Sequence, residues 1–312
     1  MNEKNKIQVG GQAVIEGVMM RSPEFVSVAV RKPDGKITLK QNKYISWTKR
    51  LKFFGWPLIR GGVILIESLV LGIKALNFSA DIAMAEIETG KEKQKSRKVR
   101  TSNFRSSISI AMTMVVAFGL GLLIFFYLPL LLTELTGVQS GILFNVIDGV
   151  IRLLFFLLYL GLISQWKEIR RIFEYHGAEH KSIFAYEQGR PLTLNGVKSF
   201  STHHPRCGTS FLLVVMLVSL IIFLFLGKPE DWVDRLIRFL FIPVIGGISY
   251  EIIRLSGTKF GLKLARILVA PGLWLQRITT KEPDDAQLDV ALVALKSALN
   301  QDVDSEVEIV SS

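Results

Sequence analysis

Cysteine occurs once in this chain of 312 residues, at Cys207, and histidine only four times. A single cysteine excludes an internal disulfide, so no covalent brace holds the fold, and a lone thiol suits a protein whose thiol faces the cytosol. Charge is scarce as well, with 21% charged against 49% hydrophobic residues and a mean hydropathy of +0.37. Uncharged runs long enough to cross a bilayer exclude a pair of soluble domains and point to a membrane protein. Residues 1 to 20 lack a basic segment followed by a cleavable apolar stretch, so no secretory signal is expected. Net charge is +11, but most basic residues flank apolar runs. There they would meet anionic lipid, so a lipid surface is the expected partner and nucleic acid is not.

What the sequence does contain is organised around Glu174-Tyr175-His176-Gly177-Ala178-Glu179-His180-Lys181. The order is H-x-x-E-H. On an α-helix His180 lies roughly 40° from His176 and Glu179 roughly 60° to its other side, so all three share one face. Two neutral imidazoles at this spacing can hold a divalent metal ion, zinc above all, while the adjacent carboxylate takes a proton from water. The remaining histidines, His203 and His204, follow a short loop, with Cys207 close behind. A structural histidine cluster is the competing reading.

A catalytic ion needs a third protein ligand. Glu187 shares the His176 face but stands roughly 10 Å along the helix axis from His180, too far for one ion. The candidates are therefore His203, His204 or Cys207 in the returning loop, or Glu251 near the end of the last span. His204 is favoured because Pro205 biases it toward an extended backbone. A Cys207 thiolate would select a softer ion, and Glu251 could instead pair with Arg254. Arg206, beside the amino end of the third span, could bind an anionic substrate group or a lipid phosphate.

Four transmembrane helices in two hairpins are expected: Ile108–Thr133 with Leu143–Ile163, then Phe211–Leu226 with Leu236–Ile253. Asp148 and Arg152, one turn apart, read as a shielding ion pair. The fold class is thus a mostly α polytopic membrane protein with a small β-containing cytoplasmic region and amphipathic interfacial helices. Residues 1–58 carry the β region: Gly10–Arg21 suggests a tight turn in a small sheet, and Phe25–Arg31 and Ile37–Lys40 flank a Pro-Asp-Gly turn as a hairpin. Residues 59–90 place Arg60, Glu67, Lys74 and Asp81 on one helix face. This predicts an interfacial or re-entrant helix, or a buried one with its polar stripe toward a cavity.

Residues 91–107 form a basic linker, 108–163 the first hairpin, 164–208 the histidine segment and 209–255 the second hairpin. Residues 256–300 are amphipathic cytoplasmic helices: Lys259, Lys263 and Arg266 form a basic stripe, Pro271-Gly272 breaks the first helix, and Leu288, Leu292, Leu295 and Leu299 line the second. Residues 301–312 make an acidic, disordered tail. Basic residues gather before span one, between spans two and three and after span four, which puts both termini and the histidine segment in the cytoplasm.

At Gly10 to Arg21, His176 to Lys181, His204 to Ser210 and Thr279 to Asp284 the chain resembles the YqhQ-like family of bacterial membrane proteins, over about residues 7 to 299. The resemblance implies the bacterial inner membrane and a predicted metal-dependent enzyme, without a substrate. Two functions remain open. One is a membrane-embedded metal-dependent hydrolase with His176 and His180 on the ion, Glu179 as general base and a membrane lipid or peptide as substrate. The other is a non-catalytic scaffold or assembly factor that recruits a protein partner.

Overall fold

The computed structural model describes residues 7–89, 103–205, 207–256, 262–303 and 307–310, with side chains throughout except at 84–89, 103–111, 114, 256 and 262–269. In chain order the elements are β1 (Gly10–Val14), β2 (Gly17–Arg21), β3 (Phe25–Arg31), β4 (Ile37–Lys43), α1 (Trp47–Arg50), α2 (Ile59–Thr89), α3 (Asn103–Leu122), α4 (Leu128–Leu135) and α5 (Gly141–Ile163). They continue with α6 (Lys167–Glu187), α7 (Leu194–Lys198), α8 (Gly208–Leu226), α9 (Trp232–Leu240), α10 (Ile242–Ser256), α11 (Leu262–Thr279), α12 (Asp285–Ala298) and β5 (Glu308–Ile309).

The chain divides into two compact units, the first drawn from residues 1–86, 163–215 and 243–312. Its centre is a sheet of order β1-β2-β3-β4-β5, antiparallel through β4. Gly17 is required where β2 meets β3, since a Cβ there would collide with the Ala29 carbonyl. Alternation sends Val18, Met20, Ala29 and Leu39 to one face, where they pack with Tyr175, Ala178 and Ile183 of α6 and Leu288 to Ala298 of α12. The opposite face, with Val14, Met19, Val26, Val28 and Val30, packs against Leu71, Ala75 and Phe78 of α2. Asp284 and Gln287 form a reciprocal capping box that starts α12.

Residues 59–89 form α2, whose polar stripe lies against protein. Glu67 is buried and accepts from Ser46 Oγ, the Trp47 amide and Arg21, while Glu67, Lys74 and Asp81 line a cavity of about 530 Å³ with Lys40 and Lys43. The polar stripe turns inward onto protein, and Leu65, Ile66, Leu69 and Val70 are left exposed outward. By length and composition five helices among the described residues, not four, are long and apolar enough to cross a membrane: Ile59–Ala83, Val115–Leu135, Gly141–Ile163, Gly208–Leu226 and Trp232–Leu255.

Two further expectations are corrected. α11 runs straight through Pro271, where Gly272 admits the helix so closely to Ser210 that a Cβ would stand 2.6 Å from that residue's Cβ. Close packing outweighs the one backbone hydrogen bond that proline removes. The acidic tail is not wholly without structure: Glu308 and Ile309 pair in parallel with Thr38 and Leu39, the Val310 amide donates to the Leu39 carbonyl at 2.9 Å, and Lys32 pairs with Glu308 at 2.5 Å. β4 would otherwise present an open edge. Residues 90–102, which hold most of the basic linker, and Lys259 lie outside the described residues, and the side chains of Lys263 and Arg266 are likewise not described.

The second unit comprises residues 87–162 and 216–242. Arg152 makes a two-pronged pair with Asp148 at 2.8 and 3.1 Å and donates to the carbonyls of Phe125 and Phe126. Those carbonyls sit in a π-turn, Leu123–Tyr127, and Pro129 has no N–H to offer Phe125 four residues back. Arg238, 1% exposed, donates to Asn145 Oδ1 at 2.8 Å and to the Gly227 carbonyl. Asn145 in turn donates to the Phe223 and Gly227 carbonyls.

Candidate metal centre

α6 is the element on which the site is built. Glu168 lies in its first turn, where a negative charge complements the helix dipole, and Gly189, at φ +68°, closes it in a left-handed turn. The Arg190 amide reaches back to the Ala185 carbonyl at 2.9 Å. The buried face runs from Tyr175 through Gly177, Ala178, Glu179, His180 and Lys181. A hydrophilic helix buries so many polar groups because each has a partner. Lys181, for one, donates to the Lys198 carbonyl at 2.8 Å and pairs with Glu282.

Both imidazoles of the motif are oriented by backbone carbonyls. His176 Nδ1 lies 2.8 Å from the Thr279 carbonyl oxygen, and His180 Nδ1 lies 2.5 Å from that of Thr202. A carbonyl can only accept, so each Nδ1 carries a proton, and in the neutral imidazole Nε2 then keeps its lone pair. The His176 Nε2 stands 3.1 Å from Cys207 Sγ. Ligand atoms of His176, His180 and Cys207 all lie within 4.8 Å of one another. Bonds of about 2.0 to 2.3 Å bring two ligands of one ion to within about 4.6 Å, so a small side-chain adjustment lets all three hold a metal ion. Donation of the distal imidazole N–H to a backbone carbonyl is the usual support for a metal-bound histidine. Burial lowers the His180 pKa, which favours the neutral ligating form, although the nearby Cys207 acts against this.

Cys207 immediately precedes α8. Its sulfur lies 3.1 Å from Thr209 Oγ1 and 3.4 Å from the Thr209 amide, which donates to it. A cavity of about 420 Å³ is lined by His176, Glu179, His180, His204 and Cys207 together with Gly11, Gln12 and Ser68. Glu179 is 6% exposed. Burial raises its carboxyl to about 7, an effect opposed by His176 and by a hydrogen bond from the Gly11 backbone. Gly11 fits because a Cβ there would lie 2.8 Å from the Glu179 Cγ.

The other sequence candidates that the structure describes are not in the group of His176, His180 and Cys207. His204, expected as third ligand, lies outside the group: its Nε2 is 3.2 Å from Glu187 Oε2, and its ring packs on Phe184 and His180. Gln276 fixes it, accepting from the His204 amide and donating to its carbonyl, each at 2.8 Å. His203 lies beside Ser201 and Thr202, with Nδ1 3.4 Å from both hydroxyls. Glu251 is also outside, held by Arg60 at 2.5 and 2.6 Å and by Arg254 at 3.8 Å. A nearby guanidinium outcompetes a distant ion site for such a carboxylate. Arg206 lies outside the described residues.

Thr202, Gln276, Thr279, Gly11 and Gly177 were not singled out as site residues by sequence. A Cβ at Gly177 would collide with the Lys281 carbonyl, so this glycine lets the Thr279–Lys281 segment reach His176. The signal available for it was its position inside the motif.

Fold and site together define a mostly helical protein, with five helices long and apolar enough to cross a membrane, that carries a largely buried His-His-Cys group beside a small sheet. Residues 56–301 match the family model described as "Protein of unknown function (DUF1385)", and the chain belongs to that family. It is 34% identical over 309 residues to a Bacillus subtilis (strain 168) protein printed as "Uncharacterized protein YqhQ", covering 95% of this chain and 94% of that one. No solved structure matches.

Proposed function

We propose that this chain is a membrane-embedded hydrolase-like protein whose metal ion, of the zinc class, is held by His176, His180 and Cys207. The observation that carries this reading is the fixing of both imidazoles by the Thr279 and Thr202 carbonyls, which aims two unprotonated nitrogens and one sulfur at a common point. Such an ion supplies Lewis acidity toward a carbonyl or phosphoryl oxygen. Three protein ligands leave a fourth position open to substrate. Glu179 lines the same cavity, where it serves as the group that takes and returns a proton. The test is Glu179→Gln, which keeps shape and removes the base. With metal content and protein abundance unchanged, it should fail to complement a deletion strain. Full complementation would instead favour the scaffold reading.

A second reading is supported by the 3.1 Å separation between Cys207 Sγ and His176 Nε2. That pair has the geometry of a thiol and its general base, with Thr279 orienting the imidazole. Metal-free yet functional protein that is inactivated by iodoacetamide would favour it.

Four bilayer crossings are proposed, with α2 lying at the membrane face rather than through it. β4 pairs with β5, and α6 and α12 pack on β1 to β3, so residues 10–43, 167–187, 285–298 and 308–309 share one side. The chain between 43 and 167 must therefore cross an even number of times, and α2 is the candidate already packed on the sheet. The excess of basic residues on this side supports a cytoplasmic location in the bacterial inner membrane. Exposed Trp47, Phe53 and Trp56 beside Lys49, Arg50 and Lys52 support contact with anionic lipid.

A further inference from the structure

A second cavity, of about 590 Å³, adjoins the candidate metal centre. Gln12, Ser68, Cys207, Gly208 and Leu212 line both cavities, so the two share a wall at those residues. Away from Cys207 the walls are apolar, made by α2, α8 and α10. On α2 the lining residues Leu65, Leu69, Gly72 and Leu76 recur at helical spacing down one stripe. From Ile64 to Leu76 that stripe is about 18 Å long, at about 1.5 Å per residue. Phe211 and Leu212 of α8 and Ile253 of α10 face it. Leu65 at 45% and Leu69 at 62% exposure leave the groove open along its length.

An apolar groove that meets Ser68, Gln12 and Cys207 partway along α2 suits an amphiphile. A compact polar substrate would leave most of it unfilled. A flexible chain lying along the apolar stretch of α2 to one side of Ser68 covers it and brings its polar end to Ser68, Gln12 and Cys207. Two of its walls, α8 and α10, belong to stretches of membrane-spanning length and apolarity, and the third, α2, is placed at the membrane face, so hydrocarbon reaches the groove without passing through water. We infer that this groove takes one acyl chain of a bilayer amphiphile and delivers the attached polar group to the His176, His180 and Cys207 site. The inference rests on the metal-site reading for what happens at the polar end, and on the groove alone for binding of the chain.

The experiment uses full-length protein in vesicles of phosphatidylethanolamine and phosphatidylglycerol doped with phosphatidylglycerol that carries a diazirine in one acyl chain. Photolysis and peptide mass spectrometry map the label, and metal content is measured on the same sample. Label should be several-fold denser on Ile64–Leu76 and Phe211–Leu212 than on the exposed Leu154 and Leu158 of α5. Leu69→Trp should lower it several-fold at unchanged metal content. Equal labelling of the groove and of α5 overturns the inference, as does displacement of the label by an apolar helical peptide but not by excess unlabelled lipid. Metal-free protein that labels in the groove contradicts the metal reading and upholds the chain site. Metal-replete protein that does not label does the reverse. The wild-type map decides the matter even where Leu69→Trp fails to fold.

Discussion

Gly177 packs against the carbonyl of Lys281 so closely that no Cβ fits between them. The contact is cemented by the Lys281 amide, which donates to the Phe173 carbonyl at 2.9 Å, and it holds Thr279 within reach of His176. Gly177→Ala should therefore cost about 1 to 3 kcal/mol, the usual penalty for overpacking, and weaken metal binding although no ligand is changed. Thermal unfolding and metal titration check this. An alanine variant with unchanged metal affinity would show that the Thr279 contact does not set the site.

The ligand set makes a sharper distinction. Alanine at His176, His180 or Cys207 should remove stoichiometric metal, whereas His203→Ala, Glu187→Ala and Glu251→Gln should retain it. Glu187 and Glu251 already have partners in His204 and Arg60. Elemental analysis of each purified variant measures the outcome, and loss of metal in Glu251→Gln would contradict the geometry.

Much of this site was legible in the sequence because side chains carry it. His176 and His180 declare themselves by spacing, and Cys207 was among the loop candidates. His204 lines the cavity without joining the group of three; proline at 205 reports on backbone bias, while the hold of Gln276 and Glu187 on His204 arises between distant segments. Thr279 and Thr202 act through backbone carbonyls, which every residue possesses, so no residue type marks them. In the fold, the hairpin of β3 and β4 was legible from alternation and its turn. The continuous helix through Pro271 was not, because Ser210, the packing partner of Gly272, lies 62 positions away. The short β5 was hidden among acids, since an edge strand is defined by the partner it completes.

The second unit depends on polar groups that its hydropathy conceals. Asn145→Leu removes the acceptor of the buried Arg238 and should destabilise the protein by about 1 to 3 kcal/mol, the cost of an unsatisfied buried donor. Denaturant unfolding in detergent measures this. The metal content of the variant should be unaffected.

Membrane topology can be tested with introduced thiols, because Cys207 is 5% exposed and contributes little background. Asp34→Cys, Asp81→Cys and Gln301→Cys should be shielded from an impermeant reagent in intact cells, and Gln139→Cys should react. Reaction of Asp81→Cys from outside would mean that α2 crosses the bilayer, contrary to four crossings.

The central claim is that two imidazoles and one thiol share an ion, and the most direct measurement is metal per chain in protein purified without chelator or affinity-column nickel. Wild-type protein should carry about one zinc-class ion per chain and His180→Ala none, at equal yield and with unchanged circular dichroism. Wild-type protein that neither carries metal nor takes up added zinc, or a His180→Ala protein that retains it, would contradict the account.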